Sequence, residues 1–444
     1  MIDTNIFQDK TAVYYTLGCK LNFSETSTIG KILREAGVRT ARKGEKADIC
    51  VVNTCSVTEV ADKKCRQAIH KLVKQHPGAF VVVTGCYAQL KPETVAKIEG
   101  VDVVLGAEQK KDLLHYLGNL QKHETGEAYT SALKDIRSFA PSCSRGDRTR
   151  FFLKVQDGCN QFCSYCIIPF ARGRVRSRKM EDVLNEINEL AKSGYKEVVL
   201  TGIHLSSYGV DTGETLLSLI EHVHEIEGIE RIRLGSLEPR IVTEDFAKRL
   251  SELTKICPHF HLSLQSGCDT TLERMNRRYR SAEYAEKCGL LRKYLGTPAL
   301  TTDVIVGFPM ETEEDFQDSY DFVESIHFYE THIFKYSRRH GTKAAAMSGQ
   351  LTEAQKAVRS DKMLALNEQH AKEYEKSMLG GELKVLLEEE VEINGEQWYI
   401  GHSMEYIKTA VKKQDNYSVN DIITVKAEEF LEEHTLTGEV LGIE

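Results

Sequence analysis

Short apolar runs alternate with amphipathic stretches of helical length over the first 120 residues of the chain. The runs TAVYYTLG, ADICVVNT, GAFVVVTG and VDVVLG have the length of strands. Between them lie ETSTIGKILREAG, VTEVADKKCRQAIHKLVK and PETVAKIEG, whose apolar positions recur with helical spacing. Parallel strands need a crossover connection, and a helix after each strand supplies one. The pattern predicts an α/β fold with an open parallel sheet over residues 1–122.

A second series of strand-length runs begins after residues 123–147, which have no clear periodicity and are predicted to be a linker. The six runs are FFLKVQ, KEVVLTG, ERIRLGS, HFHLSLQ, ALTTDVIVG and YETHIFKY, and helical patterns separate them. One of these helices has Thr312 as a candidate N-cap, with Asp315 three positions later. Six β/α units predict a partial (β/α)6 barrel over residues 148–378, with chemistry at the carboxyl ends of its strands.

The last segment, residues 379–444, follows a charged helical stretch and the pair Gly380-Gly381. It reads as five short strands with turn signals, which is typical of a small antiparallel β-barrel. From Glu382 to Glu444 there are 5 Lys and Arg residues and 15 Asp and Glu residues. Because the whole chain has a net charge of -8, its acidity belongs to this segment.

Composition narrows the class of protein. The chain has 444 residues, 41% of them hydrophobic, and no apolar run of about 18 residues that would span a membrane. We see no secretory signal and expect the reducing cytoplasm, where disulfides are a poor explanation for 12 cysteines.

The net negative charge argues against a uniformly basic, nucleic-acid-coating surface, so any nucleic-acid contact must come from local basic segments. Two such segments are candidates for phosphate contact because they lie beside the predicted cofactor site, although a charge run is more often a solvated face. They are Arg172, Arg174, Arg176, Arg178 and Lys179, and Arg274, Arg277, Arg278 and Arg280.

Three cysteines form the pattern CxxxCxxC directly after the first strand of the six-unit series. They are Cys159, Cys163 and Cys166, in the segment DGCNQFCSYC. A structural zinc site is the alternative, but it normally has four ligands, usually as two CxxC pairs, and no second pair is near in sequence. Three thiolates on an iron-sulfur cubane leave one iron open to a substrate. The spacing therefore favours a substrate-binding cluster.

Three further cysteines occupy equivalent places in the first domain. Cys19, Cys55 and Cys86 each follow a predicted strand. The carboxyl ends of parallel strands share one edge of the sheet, where ligands bind. The sequence therefore predicts that these three thiols meet, although they are far apart along the chain.

The CxxxCxxC loop and the segments TGIHLSSYG, LGSLEP, LSLQSG and TDVIVGFP, each after a predicted strand, resemble the radical S-adenosylmethionine superfamily. The resemblance implies a [4Fe-4S] cluster whose open iron is chelated by S-adenosylmethionine, which is then cleaved to a 5'-deoxyadenosyl radical. Glu238 and Gln265 are polar groups at the predicted sheet mouth, able to bond a zwitterion or a ribose. The implied cofactor-binding residues are Tyr165, Thr201, Gly202, Ser236, Glu238, Gln265 and Val306.

With TLGCKLNFSET, ADICVVNTCSVTEVADKK and VVVTGCYAQ added, essentially the whole chain resembles the methylthiotransferases. That resemblance implies a second [4Fe-4S] cluster on Cys19, Cys55 and Cys86, a radical core, and an RNA-holding C-terminal TRAM domain. The acidic charge of the last segment is a departure, because it repels phosphates. A local stacking and basic surface could compensate for it, or its aromatic residues could fill the barrel. It would comprise Trp398, Tyr399, Tyr406, Lys408, Lys412 and Lys413.

The segment LGCK at Cys19 resembles the branch that acts on N6-threonylcarbamoyladenosine at position 37 of tRNA. The isopentenyladenosine branch tends to read YGCQ, and the ribosomal-protein branch LGCPK. The resemblance implies methylthiolation of C2 with two S-adenosylmethionine molecules, two clusters and an electron donor such as a flavodoxin-type protein. The alternatives are methylthiolation of isopentenyladenosine or of a ribosomal protein side chain, or an RNA-binding protein whose clusters sense iron or oxygen.

Overall fold

A computed structural model describes residues 4–136, 138–144 and 149–443. The predicted boundary between residues 147 and 148 lies outside the described residues. Within them, no helix is both long enough and apolar enough to cross a membrane.

The N-terminal part is a parallel sheet with strand order β2-β1-β3-β4-β5-β6, which confirms the predicted open α/β architecture. Two apolar clusters cover its faces, so β3 and β4 are buried along their whole length. The sequence pattern missed β2 and β6, which are short edge strands, and β6 lies inside the predicted linker. The strands are β1 (Thr11–Thr16), β2 (Arg39–Thr40), β3 (Ile49–Thr54), β4 (Phe80–Gly85), β5 (Val103–Leu105) and β6 (Glu127–Tyr129). The helices are α1 (Lys20–Glu35), α2 (Glu59–Gln75), α3 (Cys86–Leu90), α4 (Pro92–Ala96) and α5 (Leu113–Leu117).

The central part has six parallel strands in two three-stranded sheets, β11-β10-β7 and β12-β13-β14. Parallel bridges from Ile232 to Ile256 and from Leu237 to Leu262 join the two sheets, which confirms the predicted partial barrel. The six strands are β7 (Arg150–Lys154), β10 (Glu197–Thr201), β11 (Arg231–Leu234), β12 (His259–His261), β13 (Ala299–Val306) and β14 (Glu330–Lys335). Two short strands, β8 (Gln156–Asp157) and β9 (Arg176–Ser177), pair separately as an antiparallel ribbon. The helices are α6 (Ile168–Arg172), α7 (Met180–Lys192), α8 (Leu216–His224), α9 (Glu244–Ser251), α10 (Asp269–Arg274), α11 (Ser281–Leu295), α12 (Glu313–Ile326) and α13 (Glu353–Ser377).

Local sequence sets the ends of these helices. Helix α12 begins as predicted, because the Thr312 hydroxyl accepts the Asp315 amide and the Asp315 carboxylate accepts the Thr312 amide, both at 3.0 Å. Helix α13 begins with an equivalent capping box between Thr352 and Gln355.

The C-terminal part is a closed five-stranded barrel with strand order β15-β16-β17-β19-β18. Four pairs are antiparallel as predicted, whereas the pair that closes the barrel, β17 with β19, is parallel. The strands are β15 (Glu382–Ile393), β16 (Glu396–Ser403), β17 (Lys408–Lys412), β18 (Ile422–Glu432) and β19 (Thr435–Ile443).

Of the two roles that the sequence leaves open for the aromatic residues of this barrel, the structure favours filling the barrel. Trp398 and Tyr399 are buried in its apolar clusters, and Lys412 and Lys413 pair with glutamates of the same barrel. Tyr406 lies against the central part instead, stacked between the rings of His259 and His402 at centroid distances of 4.9 and 4.5 Å. Aromatic burial therefore stabilises the barrel and its docking rather than forming an RNA-stacking face.

Two arginines of β11 dock the C-terminal barrel onto the central one. Arg231 donates to the carbonyl oxygens of His402 and Lys384 at 3.0 and 2.6 Å. Arg233 donates to the carbonyl oxygens of Met404 and Ser403 at 2.9 and 3.2 Å. Both side chains are buried, and Glu197 on the neighbouring strand balances their charge. The contact joins arginine side chains to main-chain carbonyl oxygens.

Candidate functional site

The loop of the core cysteine triad, Cys159, Cys163 and Cys166, follows β8. It begins at Gly158, whose φ is +73° and where a Cβ would lie 1.9 Å from the carbonyl oxygen of Arg174. Only glycine fits there. The amide of Gln161 donates to Cys159 Sγ at 3.4 Å, and the amide of Cys166 bonds the carbonyl of Cys163 at 3.0 Å. The loop therefore turns back on itself and gathers its three sulfurs.

A half-buried guanidinium also reaches this triad. Arg277 donates from Nη1 to Cys163 Sγ at 3.3 Å and from Nη2 to the carbonyl of Ser263 at 3.1 Å. Burial raises the pKa of the Cys166 thiol to about 12 and also raises that of Cys159. A positive charge and amide donors offset part of this cost, because they stabilise thiolate sulfur. The prediction that Arg277 contacts phosphate is wrong, since its side chain is used at the cysteine.

The structure also brings Cys19, Cys55 and Cys86 together at the carboxyl edge of the N-terminal sheet. A Cβ at Gly18 would lie 3.1 Å from the Cβ of Cys55, so the loops after β1 and β3 touch. Burial raises the pKa of the Cys55 thiol to about 11, and the nearby Cys86 and Cys19 thiols add to the rise. Cys86 opens α3, and its preceding residue Gly85 has φ +102° with no space for a side chain beside Thr54.

A buried arginine, Arg172, lies within hydrogen-bond reach of the N-terminal triad. Burial raises the pKa of the Cys86 thiol, and a hydrogen bond and the charge of Arg172 oppose that rise. Arg172 comes from the core, at the end of α6, and its Nη1 also donates to Glu25 Oε1 at 2.9 Å. Its Nη2 donates to Asn22 Oδ1 at 3.0 Å. Each triad therefore has one core guanidinium close to a sulfur.

The two basic segments mostly do not face solvent. Arg172 and Arg176 are buried beside Asp157, so their predicted contact with phosphate is wrong. Arg178 pairs with Glu186, and Arg274 pairs with Asp315 at 2.6 Å. The residues of these segments that remain exposed are Arg174, Lys179, Arg278 and Arg280. Any phosphate contact near the loop must come from this smaller set.

A cavity of about 600 Å³ connects the N-terminal domain with the inside of the central barrel. Cys19 and Lys20 line one end of it, and Thr201, Gly202 and Ser236 line it at the strand ends of the core. Polar groups from β12, β13 and β14 form a further wall. These groups are His259, His261, Thr301, Asp303, Glu330 and His332.

Three of the implied cofactor residues thus reach one cavity. The Thr201 hydroxyl donates to the carbonyl of Leu153 at 3.0 Å, and a Cβ at Gly202 would lie 2.7 Å from Gln156 Oε1. Glycine there keeps the backbone close to the barrel interior. Ser236 follows β11 and lines the same space.

The other four implied residues do not line this cavity. Tyr165 packs edge-on against Phe308. Glu238 accepts from Arg240 Nε at 2.8 Å. Gln265 is buried with φ +75°, and the side chain of Val306 packs into the main apolar cluster. These four residues and Thr201 therefore do not line one common cavity in the structure.

The residues at both triads fit iron-sulfur clusters. Each offers three sulfurs, backbone amides aimed at sulfur, and an arginine that balances negative charge. Sequence analysis missed the arginines as neighbours of sulfur. Their only sequence signal was membership of a basic run, which does not distinguish a buried guanidinium from an exposed one.

Two family comparisons match parts of the chain. The sequence model of the Radical SAM superfamily matches residues 153–323, and the model described as uncharacterized protein family UPF0004 matches residues 11–106. The first range holds the core triad, and the second holds Cys19, Cys55 and Cys86.

Curated relatives match nearly end to end. The threonylcarbamoyladenosine tRNA methylthiotransferase MtaB of Bacillus subtilis is 39% identical over 94% of this chain and 93% of its own length. The protein of the same name from Aquifex aeolicus is 41% identical over 85% and 92%. A tRNA-2-methylthio-N(6)-dimethylallyladenosine synthase from Syntrophomonas wolfei is 36% identical over 84% and 85%.

Among solved structures, the radical S-adenosylmethionine methyltransferase TsrM of Kitasatospora setae has a TM-score of 0.54 at 14% sequence identity. The match covers 76% of this chain and 74% of TsrM. At this identity the likeness supports the fold alone.

Proposed function

The chain belongs to the radical S-adenosylmethionine methylthiotransferase family, and on that premise we propose that it methylthiolates C2 of N6-threonylcarbamoyladenosine at position 37 of tRNA. A radical S-adenosylmethionine enzyme of this family acts with a [4Fe-4S] cluster and S-adenosylmethionine. The proposal adds a second cluster, a second S-adenosylmethionine per product, and the assignment of residues to each site.

One observation carries the proposal: the cavity that has Cys19 at one end and Thr201, Gly202 and Ser236 at the strand ends. A reaction that replaces C2–H by C2–S needs a hydrogen-removing site and a sulfur site that reach one carbon atom. A single cavity that extends from Cys19 of the N-terminal triad to the strand ends of the core, where the loop of the core triad also begins, supports such an arrangement. Two separate clefts would not.

The residues of the chain divide into two sets of roles. Cys159, Cys163 and Cys166 would hold the core cluster, with Arg277 at Cys163 balancing its charge. The second set, Cys19, Cys55 and Cys86, would hold the other cluster, with Arg172 at Cys86. The core cluster would pass one electron to S-adenosylmethionine, whose cleavage would give the radical that takes the C2 hydrogen, and the N-terminal cluster would supply the sulfur, to which a second S-adenosylmethionine would donate the methyl group. The surrounding cavity positions the base and keeps bulk water away.

The remaining implied cofactor residues would bind the nucleoside and methionine parts of S-adenosylmethionine. Thr201, Gly202 and Ser236 line the cavity directly. Glu238, Gln265, Tyr165 and Val306 would contribute from the surrounding loops and strand ends. Because radical formation consumes an electron, the proposal also requires a one-electron donor, such as a flavodoxin-type protein.

Relative identities support the choice of base. The proteins named for threonylcarbamoyladenosine are 35–41% identical to this chain, and those named for dimethylallyladenosine are 33–36% identical. The two ranges overlap at 35–36%, so the assignment depends on an experiment rather than on identity.

That experiment is nucleoside mass spectrometry of bulk tRNA from cells with and without the protein. We expect loss of 2-methylthio-N6-threonylcarbamoyladenosine and accumulation of its precursor. Loss of the methylthio form of isopentenyladenosine, or of a ribosomal protein, would contradict the substrate. Unchanged nucleosides together with no cleavage of S-adenosylmethionine would instead favour an iron or oxygen sensor.

A further inference from the structure

We propose that Lys20 binds the carboxylate of the N6 substituent of the substrate base and so determines which modified adenosine is accepted. This inference rests on the proposed function, because it assigns a binding group to a chemical feature of that substrate. The threonylcarbamoyl group ends in a carboxylate, whereas an isopentenyl group is a neutral hydrocarbon.

The position of Lys20 is the first step of the argument. It is the first residue of α1, directly after Cys19, and both residues line the cavity. Its Nζ lies 5.9 Å from the centroid of the Phe152 ring. Among the described residues, no carboxylate forms a hydrogen bond or an ion pair with Lys20. An ammonium group that faces a cavity without an acidic partner is suited to bind an anionic ligand.

The charges of the rest of the cavity give the second step. Asp303 and Glu330 lie on the wall formed by β13 and β14, where they would repel a carboxylate. Arg150 also lines the cavity, but its guanidinium is engaged by Glu388 at 3.0 Å and lies over the Tyr406 ring. Lys20 is therefore the cation at this end that is available to a ligand.

The chemistry of the base supplies the third step. In adenine, C2 and C6 are both bonded to N1, so a substituent on N6 that folds over N1 passes beside C2. If C2 is presented to the sulfur site at Cys19, the end of such a substituent comes close to the next residue along the chain. Lys20 is that residue.

The test uses anaerobically reconstituted full-length enzyme and anticodon stem-loop RNAs. Three RNAs carry N6-threonylcarbamoyladenosine, its carboxamide analogue, or N6-isopentenyladenosine at the target position. The proteins are the wild type, Lys20→Gln and Lys20→Arg. The matched control is Lys31→Gln, which removes an exposed lysine on the same helix that pairs with Glu35 at 3.7 Å. Iron and sulfide contents are measured for every protein.

We expect Lys20→Gln to raise the KM for the threonylcarbamoyl RNA by about 10- to 100-fold, the range for loss of a charge-assisted hydrogen bond. The KM of the wild type should be higher by a similar factor for the carboxamide RNA than for the threonylcarbamoyl RNA. The Lys20→Gln enzyme should have the same KM for these two RNAs. Lys20→Arg should retain part of the preference, and Lys31→Gln should behave as wild type.

Three results would overturn the inference. An equal loss on both RNAs would mean that Lys20 contacts a phosphate. An unchanged KM would mean that it contacts no part of the substrate. Lower iron and sulfide in Lys20→Gln would mean that it supports the cluster. Failure of the proposed function gives a different result, since wild type would then modify only the isopentenyl RNA.

Discussion

Arg172 and Glu25 form a buried ion pair between the radical core and the first helix of the N-terminal domain, with Nη1 and Oε1 2.9 Å apart. Burial alone would raise the pKa of Glu25, but Arg172, Lys110 and Lys154 lower it well below its usual value. The same guanidinium reaches Cys86. The contact that joins the two domains is therefore also the contact that supplies positive charge to the N-terminal triad.

Removing one member of this pair should destabilise the junction. We expect Glu25→Gln to lower the free energy of unfolding by up to about 3–5 kcal/mol, because it removes the buried carboxylate that Arg172, Lys110 and Lys154 share and leaves only Asp157 beside Arg172 and Lys154. Thermal unfolding of the holoenzyme measures the change. Glu45→Gln is the control, since it breaks an exposed Arg–Glu pair with Arg39 and should have a much smaller effect. Equal shifts for the two variants would contradict the structural role of Glu25.

The two cysteine triads should assemble independently, because they share no residue. Replacing Cys19, Cys55 and Cys86 together by Ala should remove one cluster's worth of iron and sulfide. The variant should still cleave S-adenosylmethionine under strong reduction but form no methylthiolated product. Replacing Cys159, Cys163 and Cys166 should abolish cleavage. Iron assays and quantitation of 5'-deoxyadenosine measure both effects.

Cys288→Ala is the control for both triple variants, since this buried thiol lies in α11 and belongs to neither triad. It should keep both clusters and full activity. Product formation by the N-terminal triple variant would rule out the two-cluster proposal.

Arg174 should contact tRNA phosphate, whereas Arg176 should not. Arg174 is exposed beside the core triad, with its guanidinium 4.8 Å from the Phe162 ring centroid. Each lost phosphate contact reduces the slope of log K against log salt by about 0.7 to 0.9. We therefore expect Arg174→Ala to reduce that slope in tRNA-binding titrations. Lys10→Ala, on the N-terminal domain beside Asp48, is a charge-matched control and should leave it unchanged.

The junction with the C-terminal barrel should weaken in acid. Burial would raise the pKa of Glu197, but Arg233, Arg150 and Arg231 outweigh it and lower the pKa to about 2. A depressed carboxyl pKa stabilises the fold above the unfolded value of about 4.3 and loses that contribution as pH falls toward 2. The shift corresponds to a contribution on the order of 3 kcal/mol.

Trp398 provides the measurement for that junction, because it is the single tryptophan of the chain and is buried in the C-terminal barrel. Urea unfolding followed by its fluorescence should show a midpoint that falls between pH 5 and pH 3 in the wild type. The urea midpoint of Glu197→Gln should be lower than that of the wild type at pH 5, and it should fall less between pH 5 and pH 3. Parallel pH profiles for the two proteins would show that Glu197 does not control the junction.

Sequence patterns predicted the parts of this protein that depend on local periodicity and spacing. Strand ends placed Cys19, Cys55 and Cys86 on one edge because the carboxyl ends of parallel strands coincide. The burial and pairing of Arg172 could not be predicted in this way, because its partner Glu25 lies 147 positions away along the chain. A run of basic residues looks the same in the sequence whether its side chains are buried against acidic residues from distant positions or exposed to solvent.

The C-terminal barrel illustrates the same limit. Its five strands followed from turn signals, but the parallel pairing of β17 with β19 depends on how the barrel closes. The position of Tyr406 between His259 and His402 depends on two domains meeting. The sequence therefore left two roles open for the aromatic residues, an exposed stacking surface or the barrel interior, and only the fold distinguishes them.

The docking of this barrel through Arg231 and Arg233 has a consequence for how the chain tolerates change. Both guanidinium groups bond main-chain carbonyl oxygens, which every amino acid provides. Substitutions at Lys384, His402 or Met404 therefore leave the acceptors in place. Outside the side chains that pair across the junction, such as Glu388 with Arg150, the surface of the barrel can change in composition, even to a strongly acidic one, and keep these four bonds. The part of the attachment made by Arg231 and Arg233 is independent of the surface charge of this module.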